Sequence, residues 1–144
     1  MVLVRSASRS DASAIAPLLG QLGYPVDQGA FEHRFDRVAT TGVDPAWVAV
    51  IEGSEPDVVG FAAGHLFRPF ELDGPVAELT AIVVDEGRRG EGVGRALVTE
   101  FEEWAISAGC VRWSVATAFR RSDAHAFYER LGYQQLARKY QKDR

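Results

Sequence analysis

The chain of 144 residues has one cysteine, Cys110, one methionine and no asparagine, and its only lysines are Lys139 and Lys142. A lone cysteine excludes a disulfide framework and any multi-cysteine metal site, so no metal is expected. No stretch of about 18 apolar residues occurs, so the sequence offers no membrane-spanning helix. Met1 to Ser10 lack the apolar centre of a signal peptide, and the cytoplasm is the expected compartment. Excess positive charge is missing too. The formal net charge is −4, which argues against nonspecific nucleic-acid binding. The 14 arginines are read as a compositional skew rather than as a function. Internal repeats and low-complexity linkers are also absent.

What remains is globular in character, with 47% hydrophobic and 25% charged residues. One domain over 1–144 is expected, with a radius of gyration of about 15 Å and ~68–70% of the unfolded surface buried. Val2-Leu3-Val4 reads as a strand. A helix begins at Ser10-Asp11, with Ile15, Leu18, Leu19 and Leu22 on one face and Gly23 closing it. A second helix begins at Asp27, with Phe31, Phe35 and Val38 on one face. Strands follow at Ala46 to Ile51, Val58 to Leu66 and Val76 to Val84, with Asp73-Gly74 in the last hairpin loop. The nearly continuous apolar end of the third marks a central strand covered on both faces.

Beyond it lie a glycine-rich turn and a long helix whose stripe holds Val93, Ala96, Leu97, Phe101, Trp104, Ala105 and Ala108. Val111 to Ala116 reads as a strand, and Ser122 as the N-cap of a short helix closed by Gly132. Tyr133 to Gln141 reads as a last strand. Antiparallel hairpins first and β-α-β units afterwards predict a mixed α/β sheet.

The sharpest feature is Arg88-Arg89-Gly90-Glu91-Gly92-Val93-Gly94-Arg95, between a buried strand and a helix. Spaced glycines let the backbone turn and expose its N–H groups. The helix start adds unpaired donors and a partial positive charge. Together they suit phosphate or pyrophosphate. The loop has no P-loop lysine, and Arg95 stands where a dinucleotide fingerprint from Gly90 would need glycine.

Arg89-x-x-Gly92-x-Gly94 after the strand Ala81-Ile82-Val83-Val84-Asp85, together with Asp123-Ala124-His125-Ala126-Phe127-Tyr128-Glu129-Arg130-Leu131-Gly132-Tyr133, resembles the GNAT N-acetyltransferase superfamily. The element order is similar over essentially the whole chain. The resemblance implies a mostly antiparallel twisted sheet with a splayed central strand pair and helices on both faces. It also implies an acyltransferase that moves the acetyl group of acetyl-CoA directly to a primary amine. In it, the backbone of Ile82, Val83 and Val84 runs beside the pantetheine arm. Arg89, Gly90, Glu91, Gly92, Val93, Gly94 and Arg95 wrap the pyrophosphate, and Tyr128 faces the thioester sulfur. Many relatives carry a cofactor-contacting asparagine near the position of Ala118, and this chain has none.

Acetyl transfer to an amine needs a base for the ammonium and an acid for the leaving thiolate. Tyr128 is the candidate acid, or else a core aromatic. Glu78, a carboxylate in an apolar strand, is the candidate base, or else a surface residue near the hairpin. His65 and His125 are candidates for the acceptor site, or else solvent-facing or flanking residues. Cys110 reads as a buried, inert thiol. Tyr24, Trp47, Phe67, Arg68, Phe70 and Glu71 are candidates for the acceptor wall. Residues 1–72 carry five arginines against nine acidic residues, and residues 73–144 are neutral. That partition suits a cationic acceptor beside an anionic cofactor, and equally suits ordinary surface charge.

The run Ser122 to Tyr128, with a lysine near the C-terminus, is similar to aminoalkylphosphonate and aminoglycoside 6′-N-acetyltransferase-like enzymes and points to a small-molecule acceptor. A non-catalytic acyl-CoA-sensing module and a protein acetyltransferase remain the alternatives. Homodimers are common in such a family, and the sequence leaves the oligomeric state open.

Overall fold

The computed structural model describes residues 1–54, 57–116, 122–137 and 139–144, and of Ser122 the backbone only. Strand β1 is Val2–Ser6, followed by helices α1 (Ala12–Leu22) and α2 (Gln28–Ala39). Strands β2 (Ala46–Ile51), β3 (Val58–Phe67) and β4 (Val76–Val84) come next. Helix α3 (Val93–Ser107), strand β5 (Arg112–Val115) and helix α4 (Ser122–Arg130) complete the order. The sheet runs β1-β2-β3-β4-β5. Its first three pairings are antiparallel, and β4–β5 is parallel. Among the described residues, no helix is long and apolar enough to cross a membrane.

Two bulges set which side chain meets which face. A one-residue slip in pairing sends every later side chain to the other face. In β4, Ala63 pairs Ala81 while Gly64 pairs Leu79, so Thr80 is the extra residue. Its hydroxyl donates to the Ala63 carbonyl at 3.1 Å and closes the gap. Ala77 and Leu79 before the bulge, and Ile82 and Val84 after it, therefore all pack towards α3. Ala81 and Val83 pack towards α1 and α2. In β3 the extra residue is Val59, since Ala49 pairs Gly60 and Val50 pairs Val58.

The faces carry separate cores. Val93, Leu97, Val98, Phe101 and Ala105 of α3 pack with Tyr128 on one face. Ala12, Ile15, Leu18 and Leu19 of α1, with Phe31 of α2, cover Val48, Val58, Phe61 and Val83 on the other. Helix α1 starts where the Asp11 carboxylate accepts from the Ser8 N–H and from both terminal guanidinium nitrogens of Arg5, at 2.8–2.9 Å. Asp27 caps α2 by accepting from the Ala30 N–H. Val38, expected on the apolar face of α2, stands one residue from the helix end and is exposed.

Among the described residues, the strand expected over Tyr133 to Gln141 does not form. The described residues there hold no strand pairing and are mostly exposed. Tyr133 turns back onto α4 and α3 instead, so its apolar surface is covered by helices. The expected Ser122 cap lies outside the described side chains.

Gly60 lies under α3. A Cβ there would stand 2.9 Å from Val93 Cγ1 and 3.3 Å from the Val83 carbonyl oxygen. Gly60→Val should cost about 1–3 kcal/mol in urea unfolding, because neither buried neighbour has room to yield. Arg5 holds the Asp11 carboxyl below its ordinary value of 3.8. That contribution is complete at neutral pH and is lost as pH falls below the ordinary value and through the lowered one. The stability gap between wild type and Asp11→Asn should therefore shrink on acidification, as measured by denaturation at several pH values.

Candidate active site

The turn after β4 is built to leave backbone donors exposed. Gly90 and Gly92 have φ of 84° and 83°, a left-handed conformation that costs other residues about 1–2 kcal/mol. A Cβ at either would meet nothing within 4 Å, so both positions border open space. Gly92 is the N-cap of α3, and no side chain caps it. The first intrahelical bond runs from the Ala96 N–H to the Gly92 carbonyl, which leaves the N–H groups of Val93, Gly94 and Arg95 without helical partners. Arg89 and Arg95 are exposed beside them. Arg88 is committed elsewhere, donating to Ser54 Oγ at 2.5 Å and approaching Glu91 at 3.5 Å.

This cradle opens onto an unpaired strand edge. Pairing of β5 with β4 ends at Leu79 opposite Val115, while β4 runs on to Val84. Among the described residues, the backbone of Ile82, Val83 and Val84 has no strand beside it on that edge. Helix α4 flanks the opening. The Phe127 ring stands 3.4 Å from the Cβ position of Gly94, and Val84 Cγ2 stands 3.7 Å from it.

Tyr128 is 7% exposed and belongs to the core under α3. Its ring sits 5.2 Å from Phe127 and 5.8 Å from Tyr133, both edge-on. The Tyr133 hydroxyl donates to Glu102 Oε2 at 2.8 Å. Burial and the Glu102 carboxylate push the Tyr133 phenol far above its ordinary value, so it stays protonated and anchors the ring beside Tyr128. His125, three residues before Tyr128, is half-buried on the same helix.

At the other end of β4 a polar row crosses the sheet. His65 of β3 pairs with Glu78 of β4, which pairs with Ser114 of β5. Strand alternation puts the row on the face opposite α3, because Ala77 and Leu79 face that helix. Glu78 and His65 are half-buried there, and Ser114 is exposed. His65 Nδ1 lies 2.6 Å from Asp44 Oδ1, and its ring stacks on Phe67. Glu78 and His65 are thus cross-strand neighbours, close enough for side-chain contact.

Of the other wall candidates, Tyr24, Phe67, Arg68, Phe70 and Glu71 are exposed. Trp47 is corrected: it is 4% exposed, edge-on to Trp104 at 5.7 Å. Alternation along β2 turns it under α3 and away from any acceptor. The position of Ala118 lies outside the described residues. Asp44, Ser114 and Gln21 escaped the sequence reading. Gln21 bonds Asp85, 64 positions away, and no local pattern marks such a pair.

A sequence model of the acetyltransferase (GNAT) family matches residues 17–133. The aminoalkylphosphonate N-acetyltransferase of Salmonella typhimurium is 29% identical over 133 residues, which is 92% of this chain and 84% of that protein. Human N-acetylaspartate synthetase is 34% identical over 90 residues, 62% of this chain and 28% of its own length. An aminoglycoside N-acetyltransferase, AAC(6′)-Iy in complex with CoA, superposes with a TM-score of 0.85 at 18% identity, covering 100% of this chain and 95% of its own. That last likeness is one of fold.

Burial raises the Cys110 thiol above its ordinary value of 9.0, with Arg68 offsetting part of the effect. At pH 7.5 its reaction with an aromatic disulfide should be slower than that of free cysteine, and should rise only at alkaline pH. A rate matching free cysteine at neutral pH would make Cys110 an available nucleophile.

Proposed function

Because the chain belongs to the acetyltransferase (GNAT) family, we propose that it moves an acetyl group from acetyl-CoA directly to a primary amine of a small molecule. Membership makes it an acyltransferase, and the named relatives are N-acetyltransferases. The observation that carries the reading is the unpaired edge of β4 between the end of β5 and the open N-terminus of α3. Such an edge can receive an extended, amide-bearing arm, and the helix start beside it can receive a pyrophosphate.

The residues present suit acetyl-CoA on three counts. No side chain caps the N–H groups at the start of α3, and the Gly90 and Gly92 positions before them border open space, so phosphate oxygens could accept from them. Arg89 and Arg95 are exposed and add positive charge, while Glu91 contributes its backbone and is drawn aside by Arg88. The edge at Ile82, Val83 and Val84 offers strand-like hydrogen bonding to the arm. When bound, acetyl-CoA supplies the acetyl carbon and departs as the free thiol.

In the proposed roles, Glu78 takes the proton of the incoming ammonium, directly or through one water. His65, held by Asp44, stands next to it to pass that proton towards solvent. The amine then attacks the acetyl carbon as the C–S bond breaks; the Tyr128 hydroxyl gives its proton to the sulfur, and the second proton lost by the nitrogen as the amide forms restores the phenol. His125 shares a helix with Tyr128, and Tyr24 lies on the segment joining α1 to α2; both are assigned to acceptor contact. Two carboxylates, Asp44 and Glu78, near the row favour a cationic acceptor. A single domain over 1–144 completes the proposal.

Calorimetric titration of acetyl-CoA should give binding to wild type and none to folded Gly92→Glu, which adds strain and a negative charge at the cradle. Equal binding by both, or none by either, defeats the cofactor assignment. Thiol release with a panel of aminoalkylphosphonates, aminoglycosides, L-aspartate and lysine peptides then identifies the acceptor. Binding without any release would make the chain a sensing module, and release with peptides alone a protein acetyltransferase. With the acceptor in hand, Glu78→Gln should lower turnover about 100-fold at neutral pH. The defect should narrow as pH approaches about 10, where the amine loses its proton unaided. Tyr128→Phe should lower kcat while leaving acetyl-CoA affinity intact. A rate unchanged across pH would remove Tyr128 from the reaction.

A further inference from the structure

The exposed turn that ends β4 is held from the opposite face of the sheet by one side chain. Gln21, in the last turn of α1, donates from Nε2 to Asp85 Oδ1 at 2.9 Å. Its Oε1 accepts from the Glu86 N–H at 3.0 Å. Asp85 uses its second oxygen to accept from the Gly87 N–H at 3.2 Å, starting the short turn Glu86–Arg88. The amide orientation of Gln21 is forced, because a carboxylate only accepts and a backbone N–H only donates. An alanine or leucine at position 21 would leave the helix intact and remove both bonds.

We propose that Gln21 is a positioning residue for the cofactor loop, holding residues 85–92 in the shape that receives acetyl-CoA. The inference rests on the acetyl-CoA reading of the site. The donors offered by α3 are useful only if the chain leading into them has a fixed path. Gly90 and Gly92 supply freedom and no restraint. Restraint comes at the start of the loop, from Gln21 on one side and from Arg88 reaching Ser54 on the other. Without the Gln21 clamp, the loop has to be ordered at the expense of binding. Because Gln21 lies three residues before Tyr24, the same clamp ties the cofactor loop to the segment joining α1 and α2.

The test is a reciprocal exchange read by calorimetry with acetyl-CoA and by amide hydrogen exchange in the free protein. Gln21→Ala and Gln21→Glu should each weaken acetyl-CoA binding about tenfold, the second through repulsion with Asp85. The double variant Gln21→Glu/Asp85→Asn reverses donor and acceptor between the two side chains. The introduced amide then donates to the introduced carboxylate, which still accepts from the Glu86 N–H, and affinity should return to within about threefold of wild type. In the free protein, Gln21→Ala should lose exchange protection at Glu86 with its thermal midpoint essentially unchanged.

Wild-type affinity in Gln21→Ala, or no recovery in the double variant, overturns the inference. If wild type itself does not bind acetyl-CoA, the cofactor reading fails instead. Unchanged Glu86 protection in Gln21→Ala then overturns the clamp on its own.

Discussion

Strand β4 is paired along its whole length with β3, but with β5 only as far as Leu79. That half-finished pairing is the constraint on which the rest of the molecule depends. A strand in the middle of a sheet normally spends all its backbone groups on its neighbours. Here, among the described residues, the far half of one edge is left over, at the point where the chain leaves for α3. The Thr80 bulge lies at this transition. It lets Leu79 and Ile82 share the α3 face while Glu78 and Val83 share the other, so one strand lines both a core and an opening.

The core under α3 is shaped by the same demand for close approach. Val93 and Leu97 pack where Gly60 has no side chain, which brings the first turn of α3 down against the sheet. Phe127 reaches the Gly94 position from the other side. The N-terminal donors of α3 are thereby fixed relative to β4 by buried apolar contacts rather than by polar ones. No side chain was needed to cap them. The loop leading into them is braced at its exposed end from two elements, by Gln21 of α1 and by Arg88 on Ser54. Freedom at Gly90 and Gly92 and restraint at Asp85 and Glu86 are complementary parts of one device.

At the other end of β4, the polar row of His65, Glu78 and Ser114 costs little, because Ser114 is exposed and the other two are only half-buried. Asp44 enters the row from the segment between α2 and β2 and turns the His65 ring. Tyr128 is placed differently. It is nearly buried, wedged between Phe127 and Tyr133, and Tyr133 is anchored in turn on Glu102. A phenol held among such neighbours has little room to wander, which the proposed acid role would need.

Period and punctuation in the sequence determined most elements. The 3.6-residue stripes of α1 and α3 and the apolar runs of β2, β3 and β4 are local signals, and Asp27 and Gly23 mark boundaries through their own backbone chemistry. The glycine loop was legible for the same reason, since positive φ and exposed amides are properties of a few consecutive residues. The strand expected over Tyr133 to Gln141 failed because alternating apolar residues describe any half-covered segment, and only helices α3 and α4 decide what covers Tyr133. Trp47 failed likewise: a strand residue has two faces, and its sequence does not say which one holds α3. The pairs Gln21–Asp85 and Asp44–His65, and the row through Glu78, were decided by tertiary structure alone. Hydrogen bonds between positions dozens of residues apart leave no trace in spacing or composition, and exist only once the sheet has brought their strands and helices together.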